Sequence, residues 1–302
     1  MISFIHRDDL DLDRYNSCIE NSLQSNIFGY SWYLDIVCKH WGVFVLNDYE
    51  AVMPIPWNKK YLISYVYPPL WLLQLGIFSK HKNFSELGFI NELKNRFRYI
   101  ELRLNYRNKA DKYSDKSYLK QFQYLPLNKS HKDLSENFNR NRKRDLKKAK
   151  NNKLVEKWND PPENLIRLFE KNISSRIKNI NEKDYQCLLK LMNECITKGV
   201  GEVLSIYDKD NRLVASGFFL FHKNRVTELV CASDFNHRNN GANTFLIDCA
   251  LFKYQKQYDV FDFGGSSIQT IRNYYKSFGA SEENYSFFKY NQLPFLLKLF
   301  KR

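Results

Sequence analysis

The chain has 302 residues, 43% of them hydrophobic, which is enough apolar material for one large domain or two ordinary ones and excludes general disorder. Lys and Arg number 47 against 33 Asp and Glu, and the net charge of +14 favours anionic partners such as phosphates, nucleic acid or lipid headgroups. AT-rich coding DNA produces the same excess, so a compositional origin stays open. The six cysteines form no C-x-x-C pair, and none has a His at metal-ligand spacing, so we expect no zinc site.

The start of the chain and its cysteines predict a cytoplasmic protein. The first nine residues end in two acidic residues, Asp8 and Asp9, where a signal peptide needs a basic segment and an apolar core. No stretch approaches the roughly 18 apolar residues of a spanning helix. Scattered cysteines indicate buried thiols in a reducing compartment. Peripheral contact of the tail Leu293–Arg302 with a membrane surface stays open beside simple packing of that tail.

The first half of the chain predicts strands that are followed by a helix and a further strand. Helices are expected over 11–21, 31–39 and 84–97, and strands over 42–46, 51–55 and 99–104. Proline lacks an N–H donor for strand pairing. We therefore expect that the stretch following these strands is broken into edge or loop segments by four prolines: Pro54, Pro56, Pro68 and Pro69.

A densely basic helix is predicted over 133–153, between the two halves. Asp133 and Glu136 have the spacing of a capping box at its start. Basic residues surround a thin apolar stripe made of Leu134, Phe138, Leu146 and Ala149. Like charges at this density destabilise a helix unless an anion relieves them. Arg140, Arg144 and Lys147 are therefore candidates for binding an anionic substrate, with a solvated face as the alternative.

The second half predicts an antiparallel meander followed by helix–strand pairs. Strands are expected over 203–207, 213–221, 226–232, 258–263 and 285–290, and helices over 243–257 and 268–278. Gly217 marks a bulge or close approach, and Gly279 is expected to end the second helix in a left-handed conformation. The order predicts a mixed sheet with helices on both faces.

A glycine-containing turn joins the third strand of the meander to the following helix. Such a turn exposes backbone N–H groups at a helix N-terminus, where the dipole favours phosphate, and an arginine adds a forked donor. The candidate cofactor-binding residues are Arg238, Asn239, Asn240, Gly241 and Ala242. An ordinary turn that uses glycine for its backbone freedom is the alternative.

The strands followed by Arg-x-x-Gly-Ala, a helix and a strand resemble the GNAT N-acyltransferase fold, whose pyrophosphate loop reads Arg/Gln-x-x-Gly-x-Gly/Ala. Arg238 and Gly241 match this loop, whereas Asn243 stands where the family has Gly or Ala. A narrower resemblance is to the FemAB-like branch of tandem-GNAT aminoacyltransferases and their bacterial relatives. The segments that carry it are 261–266 with 275–280, 139–150, and 67–69 with 74–79. The resemblance implies an α/β (α+β mixed sheet) fold: two tandem GNAT-like domains, 1–128 and 154–302, joined by a basic helix over 129–153.

Two residues are predicted to be catalytic. Lys276 matches the lysine of the branch's Phe-Lys segment, with Tyr275 in place of Phe, and the resemblance implies that this lysine lies in the transfer cleft. Tyr275 beside it is a candidate for binding the substrate. The ammonium would stabilise an oxyanion there; a solvated helix lysine is the alternative. Glu228 lies where the GNAT fold often places the residue that deprotonates the attacking amine. Apolar neighbours over 229–231 would raise its pKa by desolvation, although strand alternation equally allows it to face water.

Asp262 and His237 are weaker candidates for a base. Asp262 is expected to cap the Gly-Gly-Ser turn that follows it, and His237 to be a surface turn residue. Tyr274, Tyr275 and Phe278 have helical spacing and are expected to pack in the core.

The expected function is transfer of an activated acyl or aminoacyl group onto an amine of a cell-envelope precursor, peptide or lipid. Acyl-CoA or aminoacyl-tRNA would be the co-substrate, with no tightly bound cofactor and no metal. An aminoacyl-tRNA donor fits the FemAB-like branch and the net charge, and a thioester fits the partial phosphate loop. A non-catalytic, degenerate GNAT pair that binds anionic ligands is the alternative.

Overall fold

Two compact units make up the fold. The structure is a computed structural model, and it describes residues 1–60, 62–81, 84–108, 118–173, 180–266 and 268–298, without the side chains of Ile173, Arg238 and Leu296. The first unit contains Met1–Lys120 and Asn284–Arg302, and the second contains Gln121–Glu283.

Both units contain strands and helices. The strands are β1 (Ile2–His6), β2 (His40–Leu46), β3 (Ala51–Lys60), β4 (Ile63–Val66), β5 (Phe78–Ser79), β6 (Tyr99–Arg103), β7 (Tyr118–Pro126), β8 (Val155–Trp158), β9 (Gly201–Tyr207), β10 (Leu213–His222), β11 (Arg225–Ser233), β12 (Val260–Asp262) and β13 (Ser281–Asn291). The helices are α1 (Leu12–Asn21), α2 (Ser31–Val37), α3 (Glu86–Arg96), α4 (His131–Glu136), α5 (Arg140–Asn151), α6 (Pro162–Ile173), α7 (Glu182–Thr197), α8 (Ala242–Tyr254), α9 (Gln269–Lys276) and α10 (Phe295–Lys298). A 3-10 helix, Phe235–Asn240, precedes α8.

The sheet of the first unit has the order β1-β2-β3-β4-β6-β13, with β5 beside β3. β4 and β6 pair in parallel, whereas β1–β2, β2–β3, β3–β4, β3–β5 and β6–β13 pair antiparallel. Pro54 and Pro56 lie inside β3, opposite Val43 and Trp41 of β2. These two prolines therefore lie in a stretch of β3 that is paired on one side, in agreement with the expected edge position. They are tolerated because β5 and β4 pair with β3 only on either side of this stretch, which leaves one side of the strand without a ladder.

The sheet of the second unit has the order β7-β12-β11-β10-β9-β8. The predicted meander is confirmed, because β9, β10 and β11 are antiparallel neighbours. The crossover is confirmed as well: α8 connects β11 to β12, and these two strands pair in parallel. Gly279 has φ +86° and follows α9, as expected for the residue that ends a helix. The mixed α/β class predicted from the sequence is thus confirmed.

One apolar core of the second unit lies between its sheet and helices α8 and α9. Phe219, Leu246, Ala250, Phe261 and Phe278 are all fully buried in it. Burying this area from water is the main stabilising contribution to the unit. The core also receives the stripe of the basic segment, made of Leu134, Phe138, Leu146 and Ala149.

The basic segment forms two helices, because α4 ends at Glu136 and α5 begins at Arg140. Asn139 caps α5 by accepting hydrogen bonds from the backbone N–H groups of Asn141 and Arg142. The predicted capping box is wrong: the side chain of Ser130, rather than Asp133, caps α4. A cap requires an extended backbone, and Ser130 has that conformation while Asp133 is already helical.

Candidate active site

Two parallel strands of the second unit separate after a short pairing. β11 and β12 pair only from Arg225 with Val260 to Thr227 with Asp262; β12 ends there and β11 continues to Ser233. In open α/β sheets, ligands bind at the carboxyl ends of parallel strands where the chain diverges. We call the space beside residues 228–233 of β11, beyond the end of β12, the crevice.

A β-bulge begins at the mouth of the crevice. Phe219 of β10 lies opposite Glu228, and the preceding residue of β10 lies opposite Val230, so Leu229 has no counterpart. The extra residue changes the alternation and places Cys231, rather than Val230, on the same face as Glu228. This face is the one that carries Phe219 and is covered by α8 and α9.

Glu228 is the buried carboxyl group of the crevice. Its side chain is 3% exposed, and within the described part of the chain neither carboxyl oxygen has a hydrogen-bond partner. Burial raises the pKa of Glu228 to about 7, although the nearby thiol of Cys231 lowers it slightly. A carboxyl group that titrates near neutral pH suits a general base or acid.

Helix α9 supplies an aromatic wall to the crevice. Tyr275 is buried, and its ring centroid lies 4.7 Å from that of Phe263. Burial raises the pKa of both Tyr274 and Tyr275, and the negative charge of Glu228 raises it further. The expectation that Tyr274, Tyr275 and Phe278 pack with the core is confirmed.

Arg142 of α5 reaches the same wall. One terminal nitrogen donates to the Thr244 hydroxyl at 3.0 Å, and the other lies 2.9 Å from the Asp145 carboxylate. The guanidinium carbon is 4.3 Å from the ring centroid of Tyr274, within cation–π distance. The Nε atom of Arg142 is buried and has no partner among the described residues.

The candidate phosphate loop lies directly against α5. Gly241 has φ +86°, and a Cβ there would stand 2.1 Å from the backbone carbonyl oxygen of Asp145. The Asn240 side chain accepts a hydrogen bond from the N–H of Ala242 at 2.9 Å, which satisfies one donor of the first turn of α8. Asn239 is exposed, and the side chain of Arg238 lies outside the described residues. A diphosphate bound at this N-terminus would have to displace α5.

The two weaker candidates have structural roles. Asp262 accepts a hydrogen bond from the N–H of Gly264 at 2.9 Å, which confirms the predicted turn cap, and it also pairs with Arg225 at 2.8 Å. His237 lies 3.0 Å from the carboxylate of Asp234 in the 3-10 helix before α8.

Lys276 has an acidic partner of its own. Its ammonium nitrogen lies 2.7 Å from the carboxylate of Glu282, and its side chain is 45% exposed. The neighbouring Tyr275 is buried, since consecutive residues of a helix point about 100° apart. The two predicted catalytic side chains, Lys276 and Glu228, therefore have no direct hydrogen bond or ion pair within the described residues.

Five basic residues of α5 are exposed, and three of them are the predicted substrate-binding residues. Arg140, Arg144 and Lys147 are spaced four and three residues apart and so share one face of the helix. Arg142 points away from them into the protein. One basic helix thus has a solvent-exposed cationic face and a single buried guanidinium.

The sequence offered weak signals for the residues that accompany Glu228. Asp145 interrupts the basic run three residues after Arg142, a spacing that allows an ion pair but does not select Arg142 over the equally spaced Lys148. Thr244 follows the predicted loop as an ordinary helix residue, and the bulge at Leu229 lacks the glycine that often marks one.

The described residues contain neither a metal site nor a membrane-spanning helix. Among the residues described by the structure, no three His, Cys, Asp or Glu side chains are grouped as a metal site. No helix within the described ranges combines the length and apolar character needed to cross a membrane.

Comparison with known proteins identifies the fold as that of the GNAT-like N-acyltransferases, and the resemblance expected from the sequence is confirmed at this level. The chain is similar to FemX with a TM-score of 0.65 and 10% identity, over 99% of this chain and 100% of that chain. It is similar to a tandem GNAT protein of the clavulanic acid biosynthesis pathway, with a TM-score of 0.57 and 10% identity over 97% and 99% of the two chains.

A third similar structure is the C-terminal (DUF2156) domain of a lysylphosphatidylglycerol synthetase from Agrobacterium fabrum. Its TM-score is 0.59 at 10% identity, over 96% of this chain and 94% of that chain. No family model and no curated protein sequence matches the chain.

Proposed function

We propose that the chain is an acyl- or aminoacyltransferase that moves an activated acyl group onto an amine. One observation carries this proposal: Glu228 is a buried carboxyl without a hydrogen-bond partner among the described residues, at the point where two parallel strands separate. A group of this kind, with a pKa of about 7, is suited to accept a proton from an amine near neutral pH. The names of structurally similar proteins, FemX and a lysylphosphatidylglycerol synthetase domain, support the same class.

The transfer would proceed by addition and elimination. Glu228 takes a proton from the acceptor ammonium, and the free amine attacks the acyl carbonyl carbon to form a C–N bond. The oxygen of the adduct becomes an oxyanion. Its collapse breaks the bond to the leaving oxygen or sulfur, which takes up the proton that the attacking nitrogen loses, and the product is an amide.

Lys276 is proposed to stabilise the oxyanion, with Tyr275 contributing to the substrate-binding wall. The ammonium would first have to separate from Glu282. The separation costs little, because an exposed ion pair is worth at most about 1 kcal/mol.

Two donors remain under this proposal, and the position of α5 favours one of them. An aminoacyl-tRNA needs no diphosphate at the loop of Arg238, Asn239, Asn240, Gly241 and Ala242, which α5 covers. The exposed cations Arg140, Arg144 and Lys147 would contact its phosphates. An acyl-CoA donor would use the loop itself and would require α5 to move.

The acceptor would be an amine of a cell-envelope precursor, peptide or lipid. A lipid acceptor would agree with peripheral membrane contact of the tail Leu293–Arg302, where Phe295 is 75% exposed; residues 299–302 lie outside the described residues. We also propose that the fold is a tandem of GNAT-like domains, predicted as 1–128 and 154–302 around the basic segment 129–153. A cytoplasmic location stays a prediction.

The test is turnover with both donors. Acetyl-CoA and a mixture of aminoacyl-tRNAs are each incubated with a dipeptide, glucosamine and ethanolamine, and donor consumption is followed. Glu228→Gln should lower the rate about 10²- to 10⁴-fold, the usual contribution of a general base. Glu170→Gln, an exposed carboxyl of α6, is the matched control and should keep the wild-type rate. Donor binding without any turnover would instead establish the degenerate binding module.

A further inference from the structure

Buried polar atoms without partners converge on the crevice from three elements. They are both carboxyl oxygens of Glu228 on β11, the Nε of Arg142 on α5 and the hydroxyl of Tyr274 on α9. A buried polar group without a partner destabilises the fold, and native proteins keep few of them. The Arg142 guanidinium lies 4.3 Å from the centroid of the Tyr274 ring, and the charges of Arg142 and Glu228 both act on the pKa of Tyr274, so the three groups are neighbours. A ligand with hydrogen-bonding groups would satisfy them.

Arg142 is held rigidly toward the crevice. Thr244 and Asp145 bind its two terminal nitrogens, the Thr244 hydroxyl also lies 3.3 Å from Asp145, and the ring of Tyr274 lies against the guanidinium. The side chain is 13% exposed. These contacts engage one N–H of each terminal nitrogen, and the Nε–H is the buried donor of the guanidinium that has no partner among the described residues. A donor fixed in this way needs no reorganisation when charge develops on its acceptor.

The charge on Arg142 is already balanced by Asp145. A balanced guanidinium attracts a diphosphate weakly but still donates well to a carbonyl oxygen. The exposed Arg140, Arg144 and Lys147 have no acidic partner within α5, so their charges are suited to bind phosphate. The buried subsite therefore fits the carbonyl of an ester or thioester rather than the phosphates of a donor.

We propose that Arg142 is a catalytic residue whose Nε–H donates to the acyl carbonyl oxygen and stabilises the oxyanion, and that Asp145 and Thr244 are its positioning residues. The proposal rests on the proposed transferase function, and it adds to the same carbonyl a donor that comes from α5 rather than α9. The bonds that form and break are those of the transfer given above. Arg142 keeps its proton throughout.

The first test needs no turnover. The Nε–H signal of Arg142 in ¹⁵N-labelled protein is assigned by its absence in Arg142→Lys and is followed during titration with S-acetylpantetheine and with puromycin. These probes carry a thioester and an aminoacyl carbonyl, respectively, without a diphosphate. We expect the signal to shift with at least one probe and to stay unmoved with inorganic phosphate. No shift at saturating concentrations of both probes would overturn the proposal.

The second test measures kcat with whichever donor the wild type consumes. Arg142→Gln should lower kcat about 10²- to 10³-fold with little change in KM, as for loss of an oxyanion donor. The kcat of Arg142→Lys should lie between those of the wild type and Arg142→Gln. Lys150→Gln, exposed on the same helix, controls for lost charge. Full activity in Arg142→Gln overturns the proposal. If Arg142→Gln does not fold, kcat of Arg142→Lys is compared with that of the wild type, and an unchanged kcat overturns the proposal.

A pH profile separates positioning from simple structural support. Glu228 is faced by Cys231 on its own strand, by Tyr274 and Tyr275 on α9 and, beyond Tyr274, by Arg142 on α5. Asp145→Asn leaves the guanidinium unbalanced, which favours the ionised Glu228 and should shift the acidic limb of kcat to lower pH. Thr244→Val should lower kcat without moving that limb. An unmoved limb in Asp145→Asn overturns the positioning role.

The two proposals fail differently. If the wild type consumes no donor, the transferase function fails, whereas the Nε–H titration still decides whether Arg142 binds a carbonyl. If the wild type is active and Arg142→Gln is equally active, only the assignment of Arg142 fails.

Discussion

Gly241 and Asp145 touch through their backbones. A Cβ at position 241 would lie 2.1 Å from the carbonyl oxygen of Asp145, and Gly241 has the left-handed φ of +86°. The side chain of the same aspartate holds Arg142 at 2.9 Å. One residue of α5 thus covers the loop at the start of α8 and orients the guanidinium of the crevice.

Gly241→Ala should destabilise the protein for two reasons. A positive φ costs a residue with a Cβ about 1–2 kcal/mol, and overpacking against backbone adds about 1–3 kcal/mol. Urea unfolding monitored by circular dichroism gives the change in the free energy of unfolding.

Gly199→Ala is the matched control for this substitution. Gly199 also has a positive φ, +67°, but a Cβ there meets nothing within 4 Å. Gly199→Ala should therefore lower the free energy of unfolding only by the cost of a positive φ. Equal losses in the two variants would show that α5 does not press on Gly241 in solution.

Glu228→Gln should flatten the pH dependence of stability. Burial raises the pKa of the carboxyl to about 7 in the folded protein, against an ordinary value of 4.5. The folded state therefore binds the proton more tightly than the unfolded state, and this contribution is fully present below pH 4.5 and lost as the pH rises to about 7. The loss amounts to about 3 kcal/mol.

Urea unfolding at pH 4.5 and at pH 8 measures this effect. The wild type should lose about 3 kcal/mol more than Glu228→Gln between the two values, since glutamine does not titrate. Glu170→Gln should behave as the wild type does. A difference between wild type and Glu228→Gln that is the same at both pH values would contradict the raised pKa.

Much of the second unit could be predicted from its sequence because hydrophobic period and turn residues agree there. Each strand of the meander is bounded by polar turns, and Gly279 ends α9 as expected. Pro54 and Pro56 indicated an edge position, and they lie in the stretch of β3 that pairs with β2 on one side and with neither β4 nor β5 on the other. The break between α4 and α5 was missed because Asn139 caps a second helix inside an otherwise continuous basic run.

The crevice could be predicted only in part. The sequence showed a carboxyl group on a predicted strand at Glu228. The face of the sheet on which this side chain lies depends on the bulge at Leu229, which shifts the alternation of side chains along β11. The role of Arg142 depended on contacts with Thr244, about a hundred residues away in the chain. Spacing along a helix separates an inner from an outer face, yet it does not say which basic residue is buried.

Lys276→Gln should lower transfer without lowering stability. The pair with Glu282 is half exposed, and exposed pairs contribute little to the free energy of unfolding. An ammonium that stabilises an oxyanion is worth more, so the rate should fall at least about tenfold. Donor consumption and thermal unfolding of the same samples give both numbers.

Glu282→Gln is the complementary variant, because it frees the ammonium and keeps its charge. It should retain or raise the rate. If the transfer rate falls equally in Lys276→Gln and Glu282→Gln, the activity depends on the ion pair itself, and Lys276 has no separate role at the carbonyl.

Loss of the exposed cations of α5 should change the salt dependence of tRNA binding. Each phosphate contact releases counterions and adds about 0.7–0.9 to the slope of log K against log[salt]. The triple substitution of Arg140, Arg144 and Lys147 by Gln should therefore reduce the slope by about 2–3. The control is the triple substitution of Lys183, Lys190 and Lys209 by Gln, which removes the same charge from exposed positions elsewhere in the second unit. Filter binding of a tRNA mixture between 50 and 300 mM salt measures the slope for each variant. Equal slopes in the two triple variants would mean that tRNA binding depends on the net charge alone and that the outer face of α5 makes no contact with phosphates.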